Sequence, residues 1–205
     1  MQSTIISNNE QRLYKSSLFL APFIFSLSTF FWKNGEYGVT GGTFLFFASV
    51  FWIPAFIGLF GLLKHQMPVY AIWGLLIAIF SCFVGANFGF VGIYSEVFNI
   101  DHQTYIQEFA KYPVSSNILL FATGPLFPLS VLVLSINLWR THSIAGWISS
   151  LLCVGAIIFP LSRISRIPII AHIADLFLLI PLVSIARVYF KQPTSLNKKR
   201  CHKHL

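Results

Sequence analysis

Charged side chains are scarce in this chain of 205 residues. Only 10% of the residues are Asp, Glu, Lys or Arg, and only six of them are acidic. A soluble domain carries about 25% charged residues, so the composition excludes an ordinary water-soluble fold. The 14 basic residues are scattered through short loops and one tail, and do not form a continuous patch. This distribution argues against nucleic acid as a partner, despite the formal net charge of +8.

Cysteines and catalytic motifs are also scarce. Cys82 and Cys153 fall inside predicted helices and Cys201 lies in the tail, so no extracellular disulfide is predicted. The sequence has no serine-hydrolase elbow, zinc-protease, dithiol, Walker A or dinucleotide motif. The common hydrolases, metalloproteases, thiol oxidoreductases and nucleotide-dependent enzymes are therefore excluded. No metal site is predicted, although His202 and His204 in the tail are a weak metal-binding alternative, and the sequence leaves any cofactor unknown.

Apolar residues dominate the sequence. They make up 56% of the chain, with a mean hydropathy of +0.73. Six apolar segments are each long enough to cross a hydrocarbon core of about 30 Å. Their continuous apolar character favours helices over alternating barrel strands. We predict an all-α integral membrane protein, a six-transmembrane-helix bundle forming one domain over residues 1–205. The predicted spans are 16–32, 43–63, 69–95, 117–139, 144–164 and 168–190.

The distribution of Lys and Arg predicts the orientation. Under a six-span topology, ten of these residues lie on the side of the termini and four on the opposite side. The positive-inside rule then places both termini in the cytoplasm. The basic tail 191–205 is available to contact anionic lipid headgroups. The four residues on the outer side are Lys33, Lys111, Arg163 and Arg166.

The first apolar segment has an alternative interpretation as a signal peptide. Arg12 and Lys15 precede the segment, and Ser26 and Ser28 form a small-x-small pair typical of a cleavage site. The apolar run resumes after Thr29, however. We therefore predict an uncleaved first span.

The connection between spans three and four is the only long loop. Asp101 is a good N-cap residue and Pro113 limits a helix at its other end. Aromatic and aliphatic side chains between them gather on one side, which predicts a short amphipathic helix on the outer interface. This helix serves either as an anchor or as a lid over a cavity.

Small and polar residues mark the outer part of span three. Gly85, Gly89 and Gly92 share one face and permit close helix contact, and Glu96 continues that face. Asn87 lies on another face, where it makes either an interhelical hydrogen bond or a ligand contact. Several spans also contain proline, which bends helices and allows a bundle to enclose a cavity. These residues are Pro22, Pro54, Pro125, Pro128, Pro160 and Pro181.

The segment LSRISRIPIIAHIAD (161–175) concentrates ionisable residues at the last predicted helical hairpin. Helical side chains lean toward their own N-termini, so Arg163 and Asp175 on antiparallel helices lean toward each other. His172 lies three residues before Asp175 and shares its face. The sequence therefore predicts a polar cluster of Arg163, His172 and Asp175, with Glu96 or Arg166 as outer members.

Three roles for this cluster remain open at the level of sequence. It is a structural ion pair, a receptor in which paired guanidinium groups bind an anion, or a site where His172 and Asp175 perform acid–base or metal chemistry on a lipid-like substrate. The leading hypothesis is a protein that binds or transports a small amphiphilic or anionic molecule in an outward-side polar pocket among spans three, five and six. The alternatives are a membrane-embedded enzyme acting on a lipid-like substrate and a non-catalytic subunit of a membrane assembly. No catalytic residue is assigned.

Overall fold

A computed structural model of the chain describes residues 7–33 and 35–188. The basic tail, including Cys201, His202 and His204, lies outside this description. The described chain is almost entirely helical. Its α-helices are α1 (Asn8–Phe30), α2 (Val39–Leu63), α3 (Pro68–Val97), α4 (His102–Ala110), α5 (Pro113–Ser116), α6 (Leu126–Arg140), α7 (Gly146–Ser165) and α8 (Pro168–Val188).

Five of these helices (α1, α2, α3, α7 and α8) are long and apolar enough to cross a membrane. A sixth span results if Pro113–Phe121 and Leu126–Arg140 are counted as one segment, although the two parts are bent by 41°. The first part ends in a short π-helix, Asn117–Phe121. The helical membrane bundle is therefore supported, whereas the predicted fourth span is a broken helix. Gly124 and Pro125 lie at this break, where proline lacks a backbone donor.

Local capping explains where two of the helices begin. Ser7 and Glu10 form a reciprocal capping box, so α1 starts at Asn8, eight residues before the predicted first span. The side chain of Asp101 accepts hydrogen bonds from the backbone of Gln103 and Thr104 and caps α4. The predicted short helix between spans three and four is thereby confirmed.

A two-stranded antiparallel hairpin connects α1 and α2. Strand β1 (Trp32–Lys33) pairs with strand β2 (Glu36–Tyr37), and Gly35 in the turn has a φ of 79°. This left-handed conformation suits glycine because it has no Cβ. The hairpin was not predicted, and it ends the first helix two residues before the predicted limit of 32. We call the end of the bundle that carries this hairpin and α4 the hairpin end.

The six long helices form a closed ring. Each packs on the next in the order α1, α2, α3, α6, α7, α8, and α8 packs back on α1. The contact between α2 and α3 is closest at glycine, because a Cβ added at Gly89 would lie 2.7 Å from the carbonyl oxygen of Gly42. The predicted close helix contact through the glycine face is confirmed at this point.

Aromatic side chains fill the middle of the ring. The ring of Phe127 contacts Trp52 at a centroid distance of 4.9 Å, Phe159 at 5.5 Å and Phe25 at 6.0 Å. Phe56 continues this packing away from the hairpin end. On the side of this cluster toward the hairpin end, the interior contains a cavity.

Candidate functional site

The cavity has a volume of about 550 Å³ and is lined by α2, α3, α4, α6 and α7, together with the hairpin and Phe25 of α1. This volume is typical of a small-molecule site. Ser81 and Ser95 of α3 both line it, so it extends about 21 Å along that helix at roughly 1.5 Å per residue. The space is therefore elongated and runs from the hairpin end toward the middle of the bundle.

The lining changes character along this length. Phe25, Trp52, Phe127 and Phe159 form an aromatic floor at the middle of the bundle. Trp52 is only 1% exposed, and its indole nitrogen has no hydrogen-bond partner. The ionisable side chains that line the cavity are Glu36, His102, Arg163 and Arg166, together with Cys82, Tyr37 and Tyr105. Glu36, His102 and Arg166 lie at the hairpin end, and Arg163 lies at the near edge of the aromatic floor, so the lining becomes less polar toward the middle of the bundle.

Arg163 meets Asp175 as the helical hairpin predicted. Its Nη2 lies 3.2 Å from Asp175 Oδ1 and 3.3 Å from the hydroxyl of Thr29. The Asp175 side chain is 1% exposed and that of Arg163 is 17% exposed. The carboxylate lies behind the arginine and does not line the cavity. Arg163 therefore presents the charge of this buried pair to the interior.

Aromatic rings surround the Arg163 guanidinium group. Its Cζ lies 4.6 Å from the ring centroid of Trp32, 4.7 Å from Phe159 and 5.3 Å from Phe25. Ring faces attract cations, which helps to hold this charge in an apolar setting. The Nε and Nη1 atoms are buried and have no hydrogen-bond partner within residues 7–33 and 35–188, and the same holds for Oδ2 of Asp175. Buried donors without partners are destabilising. Arg163 can therefore donate further hydrogen bonds from these two nitrogens, and an acceptor that reached them would relieve this cost.

Arg166 belongs to a different group of side chains. Its Nη1 donates to Oε1 of Glu36 at 2.8 Å, and its Nη2 lies 2.7 Å from Nε2 of His102. Nδ1 of His102 lies 3.2 Å from the same oxygen of Glu36. We call Glu36, His102 and Arg166 the mouth cluster. Burial and the neighbouring Arg166 lower the pKa of His102, against the opposite effect of Glu36 and Asp101.

The other predicted site residues lie elsewhere. His172 packs its ring on Phe30 at a centroid distance of 4.3 Å, and within the described part of the chain it makes no hydrogen bond to Asp175. Glu96 pairs with Lys33 and accepts from the backbone nitrogen of Val39.

Asn87 makes the interhelical hydrogen bond that was one of its two predicted roles. Its side-chain nitrogen donates to the carbonyl oxygen of Leu119 at 3.2 Å. Asn87, Glu96, His172 and Asp175 do not line the cavity. The predicted pocket among spans three, five and six is therefore wrong in one respect, because α8 contributes no lining residue.

Exposed lining residues show where the cavity meets the outside of the bundle. Ile164 of α7 is 80% exposed, and Phe121 and Pro125 flank the break before α6. All three line the cavity. The broken fourth segment therefore leaves an opening beside the hairpin end of α7.

Sequence reasoning missed Glu36 and His102 as site residues. Neither lies near Arg166 in sequence, the separations being 130 and 64 residues. The one available signal was the scarcity of acidic residues, which makes each of them notable in an apolar chain. Among residues 7–33 and 35–188, no three His, Cys, Asp or Glu side chains are placed to hold a metal ion. No protein-family model, curated protein or solved structure matches this chain.

Proposed function

We propose that this protein binds a small amphiphilic or anionic molecule in the cavity, as a six-span membrane protein with both termini in the cytoplasm. The observation that carries the proposal is the elongated cavity of about 550 Å³, with Arg166 at the hairpin end, Arg163 against the near edge of the aromatic floor, and Trp52 and Phe127 farther along. In the proposed mode, the polar head lies at the hairpin end and the hydrocarbon tail lies over the aromatic floor.

Guanidinium donors in the lining favour an anionic head. Arg163 and Arg166 both line the cavity, and their charges are balanced by the buried Asp175 and by Glu36, so these donors would hold the head through hydrogen bonds. Guanidinium groups bind carboxylates and phosphates with paired, directional hydrogen bonds. The unbonded nitrogens of Arg163 can donate hydrogen bonds to such a head after a side-chain rearrangement that brings them to the cavity.

The opening beside Ile164 supports a ligand that resides in the membrane. Exposed apolar side chains surround it, and span-length apolar helices adjoin it. A chain-bearing molecule can enter through such an opening without leaving an apolar environment. In the proposed topology this opening lies toward the outer leaflet, because Lys64, Arg140 and Arg187 mark the opposite end of the bundle.

The geometry does not favour the enzyme alternative. His172 and Asp175 are not hydrogen-bonded to each other, and neither lines the cavity. General acid–base catalysis needs the reacting groups within hydrogen-bond reach of the substrate. We therefore assign Asp175 to supporting Arg163 and assign no role in ligand contact to His172.

Binding of radiolabelled hexadecanoate to the purified protein in lipid nanodiscs tests the proposal. We expect saturable binding, with weaker binding of the neutral hexadecanol and the weakest binding of the hexadecyltrimethylammonium cation. Gly85 lines the cavity, whereas an added Cβ at Gly61 would meet nothing within 4 Å. Gly85→Phe should reduce hexadecanoate affinity by about tenfold or more, equivalent to about 1.4 kcal/mol.

Gly61→Phe is the matched control, because it places the same ring on the outside of α2. It should bind hexadecanoate like the unaltered protein. Equal binding by the two variants, or no saturable binding by the unaltered protein, would refute the proposed function.

A further inference from the structure

The mouth cluster joins three separate elements at the polar end of the cavity. Glu36 comes from β2, His102 from the first turn of α4, and Arg166 from the end of α7. All three side chains line the cavity. A change in their bonding therefore alters both the polar lining and the attachment of α4 and the hairpin to α7.

Hydrogen-bond chemistry fixes the charge of His102 in this arrangement. Arginine has donors and no acceptor, so a ring nitrogen bonded to Arg166 must supply a lone pair. Nη2 of Arg166 lies 2.7 Å from Nε2 and 3.1 Å from Nδ1 of His102. The 2.7 Å contact requires Nε2 to be unprotonated, which leaves Nδ1–H to donate to Glu36, so this arrangement is that of neutral His102.

The backbone at Arg166 indicates that its side chain is needed there. Arg166 has a φ of 56° and ends α7 in the left-handed conformation, a position that glycine usually occupies. A non-glycine residue in this region is disfavoured, because its Cβ crowds the backbone. The hairpin also packs directly on this residue, since a Cβ added at Gly35 would lie 2.5 Å from Arg166 Cβ.

We infer that protonation of His102 opens the mouth cluster and releases Arg166 to bind the anionic head of the ligand. The inference rests on the proposed function and adds the regulation of the same site. Imidazolium cannot accept a bond from Arg166, and the two cations repel each other. Glu36 is already 3.2 Å from Nδ1 of His102, so its carboxylate can pair with the imidazolium and leave the arginine.

The direction of the pH effect follows from the groups that face His102. Arg166 from α7 disfavours its protonation, whereas Glu36 from β2 and Asp101 at the N-cap of α4 favour it. Burial and Arg166 prevail and lower the pKa of His102. The closed cluster is thus fully present well above this pKa and is lost as the pH falls through it. An anion that occupies Arg166 favours the protonated state, so its binding takes up a proton and strengthens with acidification.

Binding of hexadecyl sulfonate between pH 8 and pH 5 tests the inference, because a sulfonate keeps its charge over this range. We expect the affinity of the unaltered protein to rise about fivefold or more toward pH 5, a typical coupling between linked sites. His102→Gln retains a hydrogen-bond acceptor without a titrating group and should bind independently of pH. His65→Gln is the matched control, because His65 is exposed between α2 and α3 at the opposite end of the bundle.

Two failures of this experiment are distinguishable. Saturable binding with the same pH dependence in the unaltered protein and in His102→Gln would overturn the role of His102 and leave the proposed function standing. No saturable binding at any pH would overturn the proposed function and, with it, the inference.

A second measurement needs no ligand. Amide hydrogen exchange in α4, corrected for the intrinsic effect of pH, should accelerate at pH 5 in the unaltered protein and not in His102→Gln. Equal protection of α4 in the two proteins at pH 5 would show that His102 does not open the cluster.

Discussion

Replacement of Asp175 by asparagine should strongly destabilise the protein. The substitution preserves the size of the side chain and removes the carboxylate that neutralises Arg163. Removing one partner of a buried ion pair costs about 3–5 kcal/mol, because the other charge is left uncompensated. We expect the free energy of unfolding to fall by about 3 kcal/mol, at the lower end of that range. The loss is not larger because Arg163 keeps its hydrogen bond to Thr29 and aromatic rings surround its guanidinium group.

A double substitution separates the ion pair from other effects at these positions. Replacing Arg163 by methionine and Asp175 by leucine leaves no buried charge, and such apolar replacements are often neutral or stabilising. The double variant should therefore be within about 1 kcal/mol of the unaltered protein. The coupling energy between the two positions should be at least about 2 kcal/mol.

The assay is reversible unfolding in mixed detergent micelles, followed by tryptophan fluorescence. Glu108→Gln provides the matched control, since its pair with Lys111 is exposed and such pairs contribute little. A loss in the free energy of unfolding below about 1 kcal/mol for Asp175→Asn would refute the reasoning. It would also be refuted if the loss in the double variant equalled the sum of the losses in Arg163→Met and Asp175→Leu alone.

Two further substitutions test the packing and the mouth cluster. Gly89→Leu should separate α2 from α3, because a Cβ there would lie 2.7 Å from the carbonyl oxygen of Gly42. We expect it to cost about 1–3 kcal/mol in the same unfolding assay, while Gly61→Leu should cost little. Arg166→Gly should leave the free energy of unfolding nearly unchanged, because glycine adopts the left-handed backbone without strain and this gain offsets the lost ion pair. The same substitution should weaken hexadecyl sulfonate binding at pH 5 by about tenfold. Strong destabilisation by Arg166→Gly, or full stability of Gly89→Leu, would contradict these expectations.

The parts of the fold that follow from local rules could be predicted from the sequence. Long apolar runs identified the helices, and Asp101 identified the start of α4. The meeting of Arg163 and Asp175 followed from two facts, a short connection and the lean of helical side chains toward the N-terminus. Both facts are readable within about a dozen residues of sequence.

The parts that depend on distant contacts could not be predicted. Arg166 was expected as an outer member of the Arg163, His172 and Asp175 cluster, but it follows the last helical residue and adopts a left-handed backbone, so the helical lean does not apply to it. Its partners come from β2 and α4. The hairpin strands have two residues each, too few for any alternation of polar and apolar residues to appear. The cavity itself depends on how six helices close into a ring.

A crystal structure of the protein with 16-bromohexadecanoate would test the central claim most directly, because anomalous scattering locates the bromine at the end of the chain. The account predicts a bromine peak beside Trp52 and Phe127, with the carboxylate at Arg166. Bromine peaks confined to the outer surface of the helices, with the cavity closed or filled by side chains, would contradict it.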